Sequence, residues 1–448
     1  MTPRRAIRDV PASVRRRVGP YPEYKDSRIE WLGAIPAHWG TKRLKFLAPA
    51  RTSKLDTKPD DAVYVGLEHV QSWTGRLLLG NQPDSVDSVV SSFVGGDVLF
   101  GKLRPYLAKV ARPDFDGVCT SEILPLRPAF GCLQSYMMYC LLNAPYIRWL
   151  DSLTYGAKMP RVSPDQIGGS HAALPPLSEQ RAIADFLDRE IAKIDALVSR
   201  KERLIELLQE KRTALITRAV TRGLDPNVPM KDSGVAWLDE IPAHWEAKRL
   251  KHLTPGTTVG IVVTPSKYYV DEGIPCLRSL NVSRGAIDME NLVFISEHAN
   301  ELHRKSKIFA GDVVVVRTGQ AGTAAVVPKE LDGANCIDLL IVRCSGQILS
   351  QFVCYYLNSC NAISQATELS VGAIQAHYNT ATLARLVVPK ITMDEQGRIV
   401  AYLDAATREI DRLIGKIRQA TDHLNEFRTA LISSAVTGKI DVREAVSR

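Results

Sequence analysis

The sequence predicts an α/β (α+β) protein with two similar globular domains that contain mixed β-sheets. Two long helices that form an antiparallel coiled coil are expected to separate and join these domains. The main reason is a repeat: residues 178–225 return without a gap as residues 394–441, at an offset of 216 (394 − 178). A second repeated block begins at Lys25 and again at Lys231, at an offset of 206 (231 − 25). Short β-branched runs between the repeated blocks indicate strands. Since an internal repeat constrains the whole architecture, we expect a pseudo-two-fold chain.

Each copy of the longer repeated stretch is predicted to be one helix. The first copy contains no proline from Glu179 to Asp225, and the second contains none from Met393 onward. Apolar residues recur every seven positions, as in a coiled-coil seam, and Lys201 interrupts them once. The predicted seam consists of Leu187, Ile194, Leu208, Leu215, Leu403, Ile410, Ile417, Leu424 and Leu431. Two surface helices that each pack on their own domain are the alternative, but apolar faces of this length favour pairing between the copies.

The two repeats also predict the domain boundaries. We expect a basic tail at 1–20, a first globular domain at 21–177, the first long helix at 178–225, a second globular domain at 226–393, the second long helix at 394–441 and a short tail at 442–448. The first tail is rich in arginine and has no apolar segment behind it, so we do not expect a secretory signal.

The composition is that of an ordinary globular protein, with 45% hydrophobic and 24% charged residues. The net charge of +8 suits a polyanionic partner, although it is too small to establish one. The eight cysteines form no C-x-x-C pair, which predicts reduced, mostly buried thiols and a cytoplasmic protein. The chain has no apolar run near the roughly 18 residues of a membrane span, and we expect none.

Between the repeated blocks the two halves differ in sequence. The predicted strands are Ala62–Leu67, Asp97–Phe100 and Gly117–Leu126 in the first half, and Ile274–Leu280, Asp312–Arg317 and Ala324–Val327 in the second. Glycine-bounded loops near them carry side chains suited to phosphates and base edges. These DNA-binding candidates are Lys102, Arg104, Tyr106, Lys158, Arg161, Arg317, Thr318, Gln320, Gln375 and His377. Plain surface turns are the alternative interpretation of these loops.

The two halves of the chain share similar flanking segments but differ in the segments between them. This pattern predicts two domains that recognise different DNA sequences. A symmetric dimer reads a palindrome because its symmetry matches that of its site. One chain with a pseudo-two-fold frame and two different domains is therefore expected to read two different half-sites, separated by a spacer that the helices determine.

No catalytic constellation is evident in the sequence, so we predict no catalytic, cofactor-binding or metal-binding residues. It lacks the phosphate-binding loop G-x-x-x-x-G-K-[ST], the zinc motif H-E-x-x-H and the nucleophile motif G-x-S-x-G. Asp114, Asp116 and Glu122 could form a nuclease cluster, but scattered carboxylates are common near strands. His298 and His303 lack a third ligand nearby.

The repeated blocks resemble those of the specificity (S) subunits of type I restriction–modification systems. The resemblance covers about residues 20 to 441. It is carried by the paired blocks Trp31–Trp39 and Trp237–Trp245, each with the pattern Trp-Leu, Ile-Pro, Trp. The segment Pro175–Gln180 leads into the first long helix in the same way as Asp394–Gln396 leads into the second. The second copy departs from the pattern at Pro389–Thr392, where Pro-Lys-Ile-Thr replaces the Pro-Pro-Leu form.

The resemblance implies two target-recognition domains that read a split, asymmetric DNA sequence. It also implies that this prokaryotic chain is not catalytic and binds no cofactor. Two modification subunits would transfer methyl groups from S-adenosylmethionine to adenine N6. Restriction subunits using ATP and Mg²⁺ would cleave foreign DNA. A diverged DNA-modifying enzyme and a coiled-coil scaffold that does not bind DNA are the alternatives.

Overall fold

A computed structural model describes residues 18–80, 86, 88–156, 158–369 and 378–443. Contacts divide them into two compact units. The first unit contains the described residues up to Glu202 and those from Arg418 onward, and the second contains Arg203–Ile417. Each unit therefore combines one globular domain with part of each long helix. In the described part of the chain, no helix is long and apolar enough to cross a membrane.

The first unit is built from short strands and helices that precede the first long helix. Its strands are β1 (Tyr24–Asp26), β2 (Ala34–Pro36), β3 (Gly40–Arg43), β4 (Lys54–Leu55), β5 (Val63–Val65), β6 (Val90–Phe93), β7 (Val98–Gly101), β8 (Val110–Ala111), β9 (Gly117–Thr120), β10 (Ile123–Leu126) and β11 (His171–Leu174). Its helices are α1 (Leu44–Leu47), α2 (Gln134–Leu141), α3 (Ala144–Ser152), α4 (Pro164–Gly169) and the start of α5 (Leu177–Arg222).

The second unit follows α5. Its strands are β12 (Met230–Asp232), β13 (Glu240–Pro242), β14 (Glu246–Arg249), β15 (Gly256–Val259), β16 (Tyr269–Val270), β17 (Ile274–Leu277), β18 (Val282–Ser283), β19 (Ala286–Ile287), β20 (Val293–Ile295), β21 (Val313–Val316), β22 (Ala324–Val326), β23 (Asn335–Cys336), β24 (Leu339–Arg343) and β25 (Val387–Lys390). Its helices are α6 (Glu297–Leu302), α7 (Ser350–Leu357), α8 (Cys360–Leu369), α9 (Thr380–Arg385) and the start of α10 (Met393–Val436).

Both units contain a mixed sheet, as predicted, and each also contains an antiparallel sheet. In the first unit, the mixed sheet has the order β4-β6-β9-β5 with β5 parallel to β9, and β10-β7-β8 is antiparallel. In the second unit, β16-β20-β17-β23 contains the parallel pair β17–β23, and β15-β24-β21-β22 is antiparallel. The predicted single strand Gly117–Leu126 is wrong. It is two strands, β9 and β10, which lie in different sheets because Ser121 and Glu122 form a turn between them.

The central strands β7 and β21 are buried on both faces. Alternate side chains of a strand point to opposite faces, so each of these strands contributes to two cores. In β7, Val98 and Phe100 pack in the larger core of the first unit, whereas Leu99 packs in a smaller one. In β21, Val313 and Val315 pack in the larger core of the second unit, whereas Val314 and Val316 face the other way. The end of each strand is therefore held firmly, and the candidate loops begin there.

A Glu–Gln pair attaches each long helix to its unit; both glutamines and Glu179 are buried, and Glu395 is half-buried. At the start of α5, the Glu179 carboxylate accepts hydrogen bonds from Trp39 Nε1 (2.9 Å) and Tyr21 Oη (3.1 Å), and it lies 2.7 Å from His38 Nε2. At the start of α10, Glu395 accepts from Trp245 Nε1 (3.0 Å). Both tryptophans are fully buried. The Trp and Glu of the repeated blocks thus form one contact, the joint, that fixes the start of each long helix against its globular domain.

The neighbouring glutamines complete the joint. Gln180 accepts from the Leu133 backbone N–H at 2.9 Å and donates to the carbonyls of Gly131 and Pro175. Gln396 repeats this pattern with the Leu349 N–H at 2.7 Å and two carbonyls. Buried amides rarely remain unpaired. Each glutamine therefore has a structural role in fixing the helix start against the preceding loop.

In each unit the two long helices run antiparallel. In the first unit, Glu179 lies 4.0 Å from Arg443, and further along α5 the Asp195 carboxylate pairs with Arg428. In the second unit, Arg212 pairs with Asp411 at 3.3 Å. A side chain added at Gly223 would lie 3.9 Å from Glu395, so the end of α5 adjoins the start of α10. This antiparallel arrangement confirms the predicted fold class.

The structure buries part of the predicted seam and half-buries the rest. In the first unit, Leu187, Ile194 and Leu431 are buried and Leu424 is half-buried. In the second unit, Leu403 and Ile410 are buried, whereas Leu208, Leu215 and Ile417 are half-buried. Ile191 and Ile414 are buried as well, which gives the spacing of three and four residues that is typical of paired helices.

Candidate nucleic-acid interface

In the first unit, two loops that are distant in sequence pair with each other. The segment after β7 pairs with the segment after α3 through a bridge between Leu103 and Arg161. The Arg104 N–H donates to the Pro160 carbonyl at 2.7 Å, and the Val162 N–H donates to the Lys102 carbonyl at 3.1 Å. These backbone bonds bring the candidates Lys102, Arg104, Tyr106, Lys158 and Arg161 onto one surface of the unit.

The tip of this surface is exposed and conformationally strained. Arg104 and Lys158 are exposed, and Tyr106 is 43% exposed. Arg104 has a φ of +50° and Ala108 a φ of +44°, a left-handed region that side chains disfavour. Such strain concentrates at functional sites, where the surrounding structure maintains it. Here the Lys109 ammonium holds the loop by donating to the carbonyls of Leu67 (2.6 Å) and Val70 (2.9 Å).

The basic residues behind the tip are partly covered. Arg161 lies 3.6 Å from the Glu122 carboxylate, and its side chain is 40% exposed. Lys102 is half-buried, and burial lowers the pKa of its ammonium, whereas the Glu122 carboxylate opposes that shift. The surface therefore combines an exposed arginine at its tip with cations placed beside an acid.

In the second unit, the equivalent position after β21 carries different chemistry. Lys102 follows β7 and Arg317 follows the equivalent strand β21, at an offset of 215 (317 − 102). The Arg317 carbonyl accepts a hydrogen bond from the Tyr378 N–H at 3.3 Å. Thr318 is half-buried and Gln320 is exposed, in the hairpin between β21 and β22. Gly322 has a φ of +89°, and any side chain there would meet the Tyr378 ring at 3.0 Å. The hairpin backbone thus packs directly on Tyr378.

The Asp338 carboxylate holds this hairpin through both of its oxygens. One oxygen accepts from Arg317 Nη1 at 3.0 Å, and the other accepts from Thr318 Oγ1 at 3.1 Å. Asp338 lies in the turn between β23 and β24, as Glu122 lies between β9 and β10. The two acids are separated by the repeat offset of 216 (338 − 122). The sequence reasoning missed Asp338 and considered Glu122 only as a metal ligand, although the shared offset was a usable signal.

Two of the DNA-binding candidates, Gln375 and His377, lie outside the described residues. Among the residues that the structure describes, no group of three histidine, cysteine, aspartate or glutamate side chains could hold a metal ion. The Asp116 carboxylate instead accepts from the Gly95 backbone N–H at 2.8 Å.

Most of the cysteines are buried thiols. Burial raises the pKa of Cys119, Cys132, Cys276 and Cys354 to about 12 each. A thiol with so high a pKa is a poor nucleophile near neutral pH. These four residues therefore behave as part of the cores, in line with the prediction of buried thiols.

Comparisons with curated proteins find specificity subunits of type I restriction enzymes. The MjaVIII specificity subunit of Methanocaldococcus jannaschii is 25% identical over 73% of this chain and 75% of the relative. The EcoKI specificity subunit of Escherichia coli K12 is 23% identical over 70% of this chain and 67% of the relative. The EcoBI specificity subunit of Escherichia coli is 23% identical over 66% of this chain and 64% of the relative. No protein-family model matches the chain.

The fold is also similar to that of a solved structure. Its description concerns the complex assembly and conformational transition of the type I restriction–modification system. The match covers 90% of this chain and 98% of the other at a TM-score of 0.65 and 18% identity. At this identity the likeness concerns the fold. The doubled architecture and the similarity to three specificity subunits confirm the predicted resemblance: the chain is a relative of the specificity subunits of type I restriction–modification systems.

Proposed function

We propose that this chain reads a bipartite, asymmetric DNA target for a type I restriction–modification complex. In this proposal each unit reads one half-site. The main observation in support is that the two units share the same framework but differ in the loops that follow their central strands. The Trp–Glu and Gln joints recur in both units, whereas the segment after the central strand carries Lys102 and Arg104 in one unit and Arg317 and Gln320 in the other.

The loop chemistry suits two kinds of DNA contact. Exposed basic side chains such as Arg104 and Lys158 can neutralise phosphates, which gives affinity that falls with salt. Arginine can also donate two hydrogen bonds to guanine, and glutamine can pair with adenine. A bidentate contact of this kind discriminates by about 1–3 kcal/mol. Different side chains at equivalent positions would therefore specify different bases in the two half-sites.

We further propose that the paired helices dock two adenine-N6 methyltransferase subunits and, through the complex, restriction subunits. The two helices have similar sequences at an offset of 216 residues, and the equivalent pairs Asp195–Arg428 and Arg212–Asp411 connect them. Two similar surfaces suit two copies of one partner. In this proposal S-adenosylmethionine, ATP and Mg²⁺ bind to the partners, and this chain performs no chemistry. A cytoplasmic location remains a prediction.

The experiment is to express this chain with an adenine methyltransferase partner in a host without other such systems. Modified adenines are then mapped across the genome. We expect a split, asymmetric motif with a fixed spacer. Methylation by this chain alone with S-adenosylmethionine would favour a diverged enzyme. A stable complex that modifies no adenine and binds no DNA would favour a scaffold.

A further inference from the structure

The two units place an acidic residue beside their candidate DNA-reading cations at equivalent positions. Glu122 precedes β10, and Asp338 precedes β24; these strands pair with β7 and β21 in the same register. The cations Lys102 and Arg317 follow β7 and β21 directly. The sheet pairing therefore sets each acid against the residue that leaves the neighbouring strand.

Stability alone is a weak explanation for these acids. The Arg317 and Asp338 side chains are 33% and 35% exposed, and ion pairs this exposed contribute little to folding. Asp338 also has a φ of +51°, which costs conformational energy in a residue with a side chain. A carboxylate near DNA repels phosphate as well, so each acid lowers general affinity for the polyanion.

We infer that Asp338 and Glu122 are positioning residues that orient cations for base reading, an inference that rests on the proposed function. Asp338 contacts Arg317 Nη1 and the Thr318 hydroxyl at once, which fixes the direction of the guanidinium. Fixing a flexible side chain before binding reduces the entropy that is lost on binding. The Arg317 side chain remains 33% exposed beside the carboxylate, so part of it stays accessible to DNA, whereas its Nε is buried.

The same logic applies to the first unit with a different set of cations. Glu122 lies 3.6 Å from Arg161 and interacts electrostatically with Lys102. Arg161 comes from the loop after α3, whereas Arg317 follows the central strand itself. Equivalent acids thus orient cations that enter from different segments. This difference would let the two units present different donors to their half-sites.

The test compares Asp338→Asn with the matched control Glu330→Gln. Asparagine tolerates the left-handed conformation and keeps the size of the side chain, but it removes the charge. Glu330 is an exposed acid of the same unit outside both turns, so its variant removes one negative charge without touching Arg317. The complex with the methyltransferase partner binds DNA duplexes with an intact or an altered second half-site, and the affinity ratio measures specificity.

We expect Asp338→Asn to lower the specificity ratio for the second half-site about tenfold while leaving the first half-site unaffected. Glu330→Gln should strengthen binding to both duplexes alike and leave the ratio within about twofold of the original. Glu122→Gln, with Asp114→Asn as its control, should relax only the first half-site. This second pair keeps the inference testable if Asp338→Asn proves unstable.

The outcomes separate this inference from the proposed function. If the unaltered complex prefers no sequence, both are overturned. If the unaltered complex is specific but each variant behaves like its control, only the positioning role is overturned. A general loss of binding to both half-sites would indicate a purely structural role, and it would also contradict the inference.

Discussion

At the scale of single residues, the repeat places the same ion pair in two different environments. Asp195 and Asp411 are equivalent, at an offset of 216 (411 − 195), and each pairs with the equivalent arginine. The Asp195 side chain is only 8% exposed and also lies 2.5 Å from Arg76, whereas the Asp411 side chain is 56% exposed. Burial and the nearby Arg76 lower the pKa of Arg428. The two pairs should therefore differ greatly in their effect on stability.

Asp195→Ala should reduce the free energy of unfolding of the first unit by about 3–5 kcal/mol, because Arg428 is left buried without its counter-charge. Asp411→Ala is the matched control in the second unit and should cost less than about 1 kcal/mol, since solvent screens an exposed pair. Urea unfolding of the full chain measures both variants. Equal losses for the two variants would contradict the difference that burial implies.

Arg104→Ala should weaken binding to DNA with the first half-site by about tenfold, the size of one lost base contact. Alanine keeps the same strained φ as arginine, so the substitution removes the side chain without relaxing the loop. Binding titrations with duplexes altered in one half-site measure the effect. Arg28→Ala, another exposed arginine of the first unit with a φ of +58°, is the control and should leave affinity for that half-site nearly unchanged. Unchanged affinity in Arg104→Ala would remove Arg104 from the candidates.

The sequence could indicate which residue types the loops carry, but not how the loops meet. Leu103 and Arg161 pair across 58 positions (161 − 103), and no local pattern encodes such a contact. Similarly, Asp338 contacts Arg317 only because β21 and β24 are neighbours in one sheet. The candidate cations were therefore accessible to sequence reasoning. The repeat offset could have pointed to the two acids as equivalent residues, but not to the cations that each of them contacts.

At the scale of elements, long helices were predicted more accurately than short strands. The heptad pattern extends over many turns, so the helices α5 and α10 end within a few residues of their predicted bounds. The run Gly117–Leu126 contains enough β-branched and apolar residues to suggest one strand, yet it changes sheets at Glu122. Strand assignment depends on neighbours that the local sequence does not reveal.

Ile410→Pro should disrupt α10 at a buried position of the seam. Proline removes a helical hydrogen bond and clashes with the preceding turn, at a cost of about 3 kcal/mol or more. We expect the variant to lose assembly with the methyltransferase partner, while limited proteolysis still shows folded globular domains. Ile410→Leu keeps the apolar contact and should assemble normally. If Ile410→Pro assembles as the unaltered chain does, the paired helices are not the docking surface.

At the scale of the whole molecule, both compact units combine segments from distant parts of the chain. The first unit joins the two ends of the described chain, where the Asp441 N–H donates to the Gly19 carbonyl at 2.8 Å. The predicted boundaries treat each long helix as a separate segment, whereas the contacts assign part of each helix to each unit. Composition and periodicity do not reveal such grouping, because it arises from antiparallel pairing.

The central claim is that each unit reads its own half of one DNA target. Its most direct test exchanges residues 48–155 for the corresponding segment of another specificity subunit and maps modified adenines with the methyltransferase partner. We predict that one half of the motif changes, while the other half stays the same. A stable complex in which both halves change, or in which neither changes, would contradict the claim.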